Sequence, residues 1–209
     1  MRWCLVLIVP MLACGPPPKG VDYRGARLAV IDMHLHTGTW GHIPEGTQSF
    51  LAERFPFPLG LRPESTAEDV LTGEAILGEL DDAAISAGLL FAVYAPRSVG
   101  VATNGHVLEQ RKADSKRLWG LASLPVDDWD SRGEDALAAL SEALDNDAMV
   151  GIKLAHAHMH FRMDDPAYWS IYEVAAAHGA PVYLHTGPSP FPNTRREPEY
   201  TDPAWLEAA

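Results

Sequence analysis

The chain has 209 residues, 47% of them hydrophobic, and a formal net charge of -12; so acidic a surface excludes nucleic acid and anionic lipid headgroups as partners. Its two cysteines, Cys4 and Cys14, both fall within the first fourteen residues. A domain that starts later therefore has no disulfide, thiol nucleophile or zinc thiolate, and any metal must be held by His, Asp, Glu or Lys. With no low-complexity run after residue 20, one domain is expected.

At the N-terminus Arg2 precedes an almost wholly apolar run from Trp3 to Cys14, too short to span a bilayer and ending in Met11-Leu12-Ala13-Cys14-Gly15. This is the outline of a secretory leader. Its end resembles a bacterial lipoprotein box, with Met11 where that pattern has Leu. The resemblance implies lipidation at Cys14, a lipid anchor to the membrane, and an exported lipoprotein of the cell envelope on the periplasmic or extracellular side. Residues 1–14 are then signal peptide, 15–27 a proline-rich tether, and 28–209 the folded domain.

Leu28 to His36 reads as a buried strand, and its alternation puts Asp32, His34 and His36 on one face and Ile31, Met33 and Leu35 on the other. Thr37 to Arg62, rich in Gly and Pro but carrying Trp40, Phe50, Phe55 and Phe57, predicts a long packed loop over the mouth of a site. A short helical turn is expected within it at Gln48–Glu53. Ser65-Thr66-Ala67-Glu68 is a capping box, predicted to open a helical region reaching about Ser86 with breaks at Gly73 and Gly78. Gly88 to Ala95 is a second strand, Asn104 is expected to cap a helix to about Arg117, and Leu118 to Leu124 is a third strand. Ser131-Arg132-Gly133-Glu134 is read as the cap of the next helix, whose buried face carries Leu137, Leu140 and Leu144. Met149 to Ala155 is a fourth strand. Asp165-Pro166 opens another helix and Gly179 closes it, ahead of a fifth strand in Pro181 to Gly187 that ends at His185.

Five strands alternating with four helices predict an α/β fold with a parallel sheet. A dinucleotide site would need a Gly-rich turn after the first strand, and that position holds His-Leu-His. Alternation alone does not separate a barrel from an open sheet. Ile31-Asp32-Met33-His34-Leu35-His36, Val150-Gly151-Ile152-Lys153-Leu154 and Pro181 to Gly187, in that order, resemble the amidohydrolase superfamily of metal-dependent hydrolases. The resemblance implies a partial (β/α)8 TIM-type barrel with about five strands and four helices. From His34 to His185 the chain spends 151 residues on four steps, so eight steps would need roughly 300. The expectation is therefore the N-terminal part of a barrel, a truncated reading of a longer protein whose open edge strands favour oligomers.

Two imidazoles on one strand face can turn toward a single divalent ion. The resemblance implies that His34, His36 and His185 are metal ligands, with zinc the expected ion. Lys153 is placed on the inward face, either carboxylated as a metal ligand, as in some branches of the superfamily, or ion-paired with a buried acid such as Asp32. His156 and His158, with His160, follow the fourth strand; they are expected either to contact substrate or to sit on a solvated loop, and their spacing leaves a dinuclear site open. His106 and His178 are read as surface or packing residues. The implied reaction is hydrolysis of an amide, ester or lactone in a small-molecule substrate. The alternatives are decarboxylation or hydration within the same superfamily, or a catalytically inactive metal-binding lipoprotein fragment. The later ligands of the superfamily, a His after the sixth strand and the catalytic Asp after the eighth, match no residue of this sequence, so the catalytic base is unassigned.

Overall fold

A computed structural model describes residues 19–55, 57–58, 60–187, 189–191 and 200–207. Cys14, the leader and the start of the proline-rich tether lie outside the described residues. Near the N-terminus β1 (Val21–Tyr23) and β2 (Ala26–Leu28) form an antiparallel hairpin, in a stretch read from sequence as tether. Then come β3 (Ile31–His36), α1 (Glu45–Arg54), α2 (Pro63–Val70), α3 (Gly73–Asp82), β4 (Ala87–Phe91), β5 (Val93–Ala95), β6 (Gly100–Ala102), α4 (Asn104–Gln110) and β7 (Leu118–Ala122). α5 (Trp129–Leu144), β8 (Met149–Leu154), α6 (His156–Met159), α7 (Trp169–His178) and β9 (Val182–Leu184) complete the order.

The main sheet is parallel throughout, in the order β3-β4-β7-β8-β9. Alternation along its strands sorts side chains into two clusters. Leu90, Leu118, Ile152 and Leu154 face one way and pack with Ile76, Leu80, Val107, Leu140 and Ile171 of the surrounding helices. Leu89, Phe91 and Leu121 face the other way, together with Tyr183. Helices thus cover one face and side chains converge on the other, the arrangement of a barrel wall; a doubly wound sheet would carry helices on both faces. The partial TIM-type barrel expected from the sequence is the observed fold.

Several local expectations are corrected. In the Gly/Pro-rich segment after His36 the helical turn expected at Gln48–Glu53 is present but longer, as the ten-residue α1. Phe55 and Phe57 point to solvent, whereas Trp40 and Phe50 are half-buried. The Ser65 capping box lies inside α2, which Pro63 opens at its first position, and the Thr72 side chain caps a separate α3 by accepting from the Ala75 amide. The second strand divides at Ala92, after which β5 leaves the sheet to pair antiparallel with β6. Thr103, not Asn104, caps α4; the Asn104 amide instead binds the Ser123 backbone in both directions, at 2.9 Å each, and ties the helix to the end of β7. Asp128, in a left-handed conformation, precedes α5 without a side-chain cap. The Asp165-Pro166 start holds, with the Asp165 carboxylate accepting from the Ala167 amide. β3 itself, expected to be buried, is an edge strand with Ile31 and Met33 exposed.

Candidate metal centre

The sheet brings the C-terminal ends of β3, β8 and β9 to one rim, where His34, His36, Lys153 and His185 belong to a single neighbourhood. On β3 the pairing with β4 shifts by one residue between Asp32 and Leu35. Leu35 still packs toward the helices, where Gly88 makes room for it: a Cβ on Gly88 would lie 2.2 Å from Leu35 Cδ1. The two histidines turn the other way. Their Nε2 atoms are 3.1 Å apart, the separation of about 3.1 Å that two Zn–N bonds of about 2.0–2.1 Å produce when they meet at roughly 100°. The Asp32 carboxylate accepts from the His34 amide at 2.9 Å, fixing the backbone beneath the pair.

Both rings lean on Phe91, at centroid distances of 4.8 Å and 5.5 Å. The Tyr183 hydroxyl of β9 is 3.4 Å from His34 Nδ1. If Nε2 is the metal-facing nitrogen, Nδ1 keeps the proton and donates it toward Tyr183, the outer contact that orients a ligand imidazole. Burial and the Lys153 charge hold His34 below the usual histidine range, against a small opposing effect of Asp32. Burial, then His34, Lys153 and His185, lower His36 as well. Neutral imidazole is the form that binds a metal.

His185 follows β9, and its Nε2 is buried without a hydrogen-bond partner. Its ring lies 4.7 Å from that of His158. Among the described residues, however, no group of three His, Cys, Asp or Glu side chains is close enough to hold one ion. The structure therefore brings His34 and His36 together as a pair and places His185 beside them, not in contact.

Lys153 stands inside the arc of the sheet and is 3% exposed. Its ammonium lies 4.6 Å from the Tyr183 ring centroid and 5.0 Å from that of Phe91. The ion pair with Asp32 expected as one alternative does not form, and Lys153 Nζ has no hydrogen-bond partner. Burial lowers its pKa to about 8. His156 and His158 are not on a solvated loop: both are buried, on the short α6, with pKa values lowered to about 4 and about 3 by burial first and then by His185 and Lys153. His160 takes a left-handed conformation after α6 and stacks on Tyr200.

One contact had no signal in the sequence. Buried Thr37, immediately after His36, donates to the Leu71 carbonyl at 2.6 Å and is 3.1 Å from His106 Nε2. His106, read from sequence as a surface or packing residue, thus holds the turn that leaves β3. His178 is a packing residue as expected, bonded to Ser141 at 2.9 Å.

Known structures share this fold. An uncharacterised TIM-barrel protein from Bordetella bronchiseptica aligns with a TM-score of 0.63 and 22% identity, over 86% of this chain and 62% of that protein. A 5-carboxyvanillate decarboxylase from Novosphingobium aromaticivorans, complexed with manganese and 4-hydroxy-3-methoxy-5-nitrobenzoic acid, aligns with a TM-score of 0.59 and 16% identity, over 91% and 56%. The 5-carboxyvanillate decarboxylase of Sphingomonas paucimobilis gives a TM-score of 0.56 and 15% identity, over 78% and 53%. The chain thus spans less than two thirds of the length of each. No curated protein matches it. The sequence model of the amidohydrolase family (Amidohydro_2) matches residues 31–208, beginning at the first residue of the strand that carries the histidine pair, and the chain belongs to that family.

Proposed function

We propose that this chain carries the metal-binding part of an amidohydrolase-type centre. His34 and His36 are its paired ligands, His185 is a third from the same rim, and the reaction is hydrolysis of an amide, ester or lactone in a small molecule. The observation that carries this reading is the 3.1 Å approach of the two Nε2 atoms at a strand's C-terminal end, where barrel sites are built. When bound, a divalent ion there supplies Lewis-acid activation of water and of a substrate carbonyl. The chain's own residues set up the rest. Tyr183 and Asp32 orient His34, both rings rest against Phe91, and neutral His158 lies beside His185 as a hydrogen-bonding group toward substrate, with His156 buried behind it.

Zinc is the favoured ion because both ligands are imidazoles; the manganese in a decarboxylase of similar fold makes Mn²⁺ the competitor to test. That same neighbour supports a second reading, decarboxylation of an aromatic acid at the same centre. Calorimetric titration of the full chain with Zn²⁺ and with Mn²⁺ decides the metal. Unchanged affinity in His34→Ala/His36→Ala would remove the central claim. Assay of an aryl amide, a lactone and a hydroxybenzoate then separates hydrolysis from decarboxylation.

Export and lipidation at Cys14 are proposed from the leader's pattern of Arg2, an apolar run and a Cys followed by Gly15. Among the described residues no helix is long and apolar enough to cross a membrane. Cys14→Ser should abolish incorporation of labelled palmitate and release the processed protein from the membrane fraction; retention there would count against the anchor.

A further inference from the structure

Beside His36 lies a cavity of about 310 Å³. Its walls come from four segments far apart in sequence: the turn after β3 with α1, the C-terminal half of α2, the hairpin of β5 and β6, and Phe191 beyond β9. Trp40, Ile43, Leu51, Val70, Val101 and Phe191 supply most of the surface. Among the described residues no Asp, Glu, Lys or Arg lines it, and His36 is the one ionisable wall residue.

The walls are tied to each other. Gln48 of α1 donates through Nε2 to the carbonyls of Trp40 and Ile43, at 2.9 Å and 3.0 Å. The buried Thr47 hydroxyl donates to the Ser98 carbonyl and so pins α1 to the hairpin. The hairpin approaches the turn so closely at Gly100, where φ is +104°, that a Cβ would come 2.5 Å from the His42 carbonyl oxygen. A space bounded this way exists before any ligand arrives, the usual condition of a small-molecule pocket.

We propose that this cavity is the specificity pocket of the candidate centre and takes an uncharged aromatic group of the substrate, seated against Trp40 and Phe191 with the reacting bond next to His36. The proposal rests on the metal-centre reading for what happens at His36, but the pocket itself does not depend on it. Volume sets the size of the guest. A cavity of roughly 150 Å³ holds benzene, so about twice that admits a substituted ring or a fused pair. Charge sets its kind: an anionic arm would enter a space with no cation among the described wall residues and would lose its hydration. The aromatic walls favour a flat guest through offset or edge contacts. Any acid group of the substrate must therefore stay outside the pocket.

Two probes of matched shape test this: 2-naphthol, neutral at pH 7, and 2-naphthoate, an anion. Both are titrated calorimetrically into the full chain, metal-stripped and zinc-loaded. 2-Naphthol should bind with one site and at least tenfold more tightly than 2-naphthoate in the metal-stripped protein. Ala102→Phe fills the cavity and should weaken 2-naphthol at least tenfold while leaving zinc affinity within twofold. Val70→Asp does the same by placing a carboxylate at the rim; because Val70 is 53% exposed, this variant tests the pocket even if Ala102→Phe does not fold. Absence of saturable 2-naphthol binding, equal affinity for the anion, or unaltered binding in Val70→Asp would each overturn the proposal. The two readings separate cleanly: 2-naphthol binding that Val70→Asp weakens, in a chain that binds no zinc, leaves the pocket standing and removes the metal centre.

Discussion

β3 and β8 both end at the candidate centre and send polar side chains to the same interior, yet they live in different solvents. On β8 the strand is central, Ile152 is fully buried and Lys153 is 3% exposed; on β3, an edge, Ile31 and Met33 are 53% and 48% exposed. The two strands differ in pattern as well as place: β3 alternates apolar residues with Asp32, His34 and His36, whereas β8 is apolar apart from Lys153, so an edge position and a polar face together leave β3 outside the core. β8 is a structural strand with one strained charge. β3 is a chemical strand whose loss of packing costs little.

The largest effect expected from this contrast is Ile152→Ala, which should cost about 2–5 kcal/mol in chemical denaturation because it empties a filled core. His34→Ala/His36→Ala should leave the melt nearly unchanged but lower zinc affinity at least about 100-fold, since even outer contacts of metal ligands are worth about 10- to 100-fold. Equal loss of stability in these two variants would erase the distinction.

Lys153 sharpens it through pH. In the unfolded chain lysine keeps its proton to about 10.5, whereas in the folded chain burial releases it at about 8. The unfolded state therefore binds more protons between these values, and stability should rise as pH goes from about 8 to about 10.5. Lys153→Met should flatten that rise and add about 1–3 kcal/mol at pH 7 by removing a buried unpaired charge. The histidines of α6 act at the other end. Unfolded histidine takes a proton near 6.5, but His156 and His158 resist until about 4 and about 3, so stability should fall as pH drops below about 6.5. A urea midpoint that is flat from pH 7 to 4 would contradict their burial. Smallest of all, Met33→Ala on the exposed edge should shift stability by no more than about 0.5 kcal/mol.

The alternation of strands and helices, the face shared by His34 and His36, and the inward Lys153 were legible because each follows from a local period of two or 3.6. The Asp165-Pro166 helix start was legible for the same reason, as both its cap and its fixed φ are local. What escaped was non-local. The helical turn expected at Gln48–Glu53 is extended to the ten-residue α1, in a segment whose glycines and prolines argue for loop, because Thr47 and Gln48 find partners in the hairpin and the preceding turn. The division of the second strand at Ala92 depends on β6, ten residues further on. The contact of Thr37 with His106 joins positions 69 apart, and no spacing rule connects them. The pocket beside His36 is built wholly from such contacts, which is why the histidine pair could be read from the sequence and the pocket could not.

The extra residue that β3 carries against β4 between Asp32 and Leu35 has an implication for how this strand tolerates genetic change. A parallel strand that slides by one position exchanges its faces. Met33 and Leu35 would then point inward and both imidazoles would be pressed among the helices. The bulge works as a key that admits a single seating: Asp32 locks it on one side through the His34 amide, and Leu35 locks it on the other by filling the space over Gly88. Deletion of one codon between Asp32 and Leu35 should therefore be far more damaging to metal binding than any single replacement there, even one that removes more atoms.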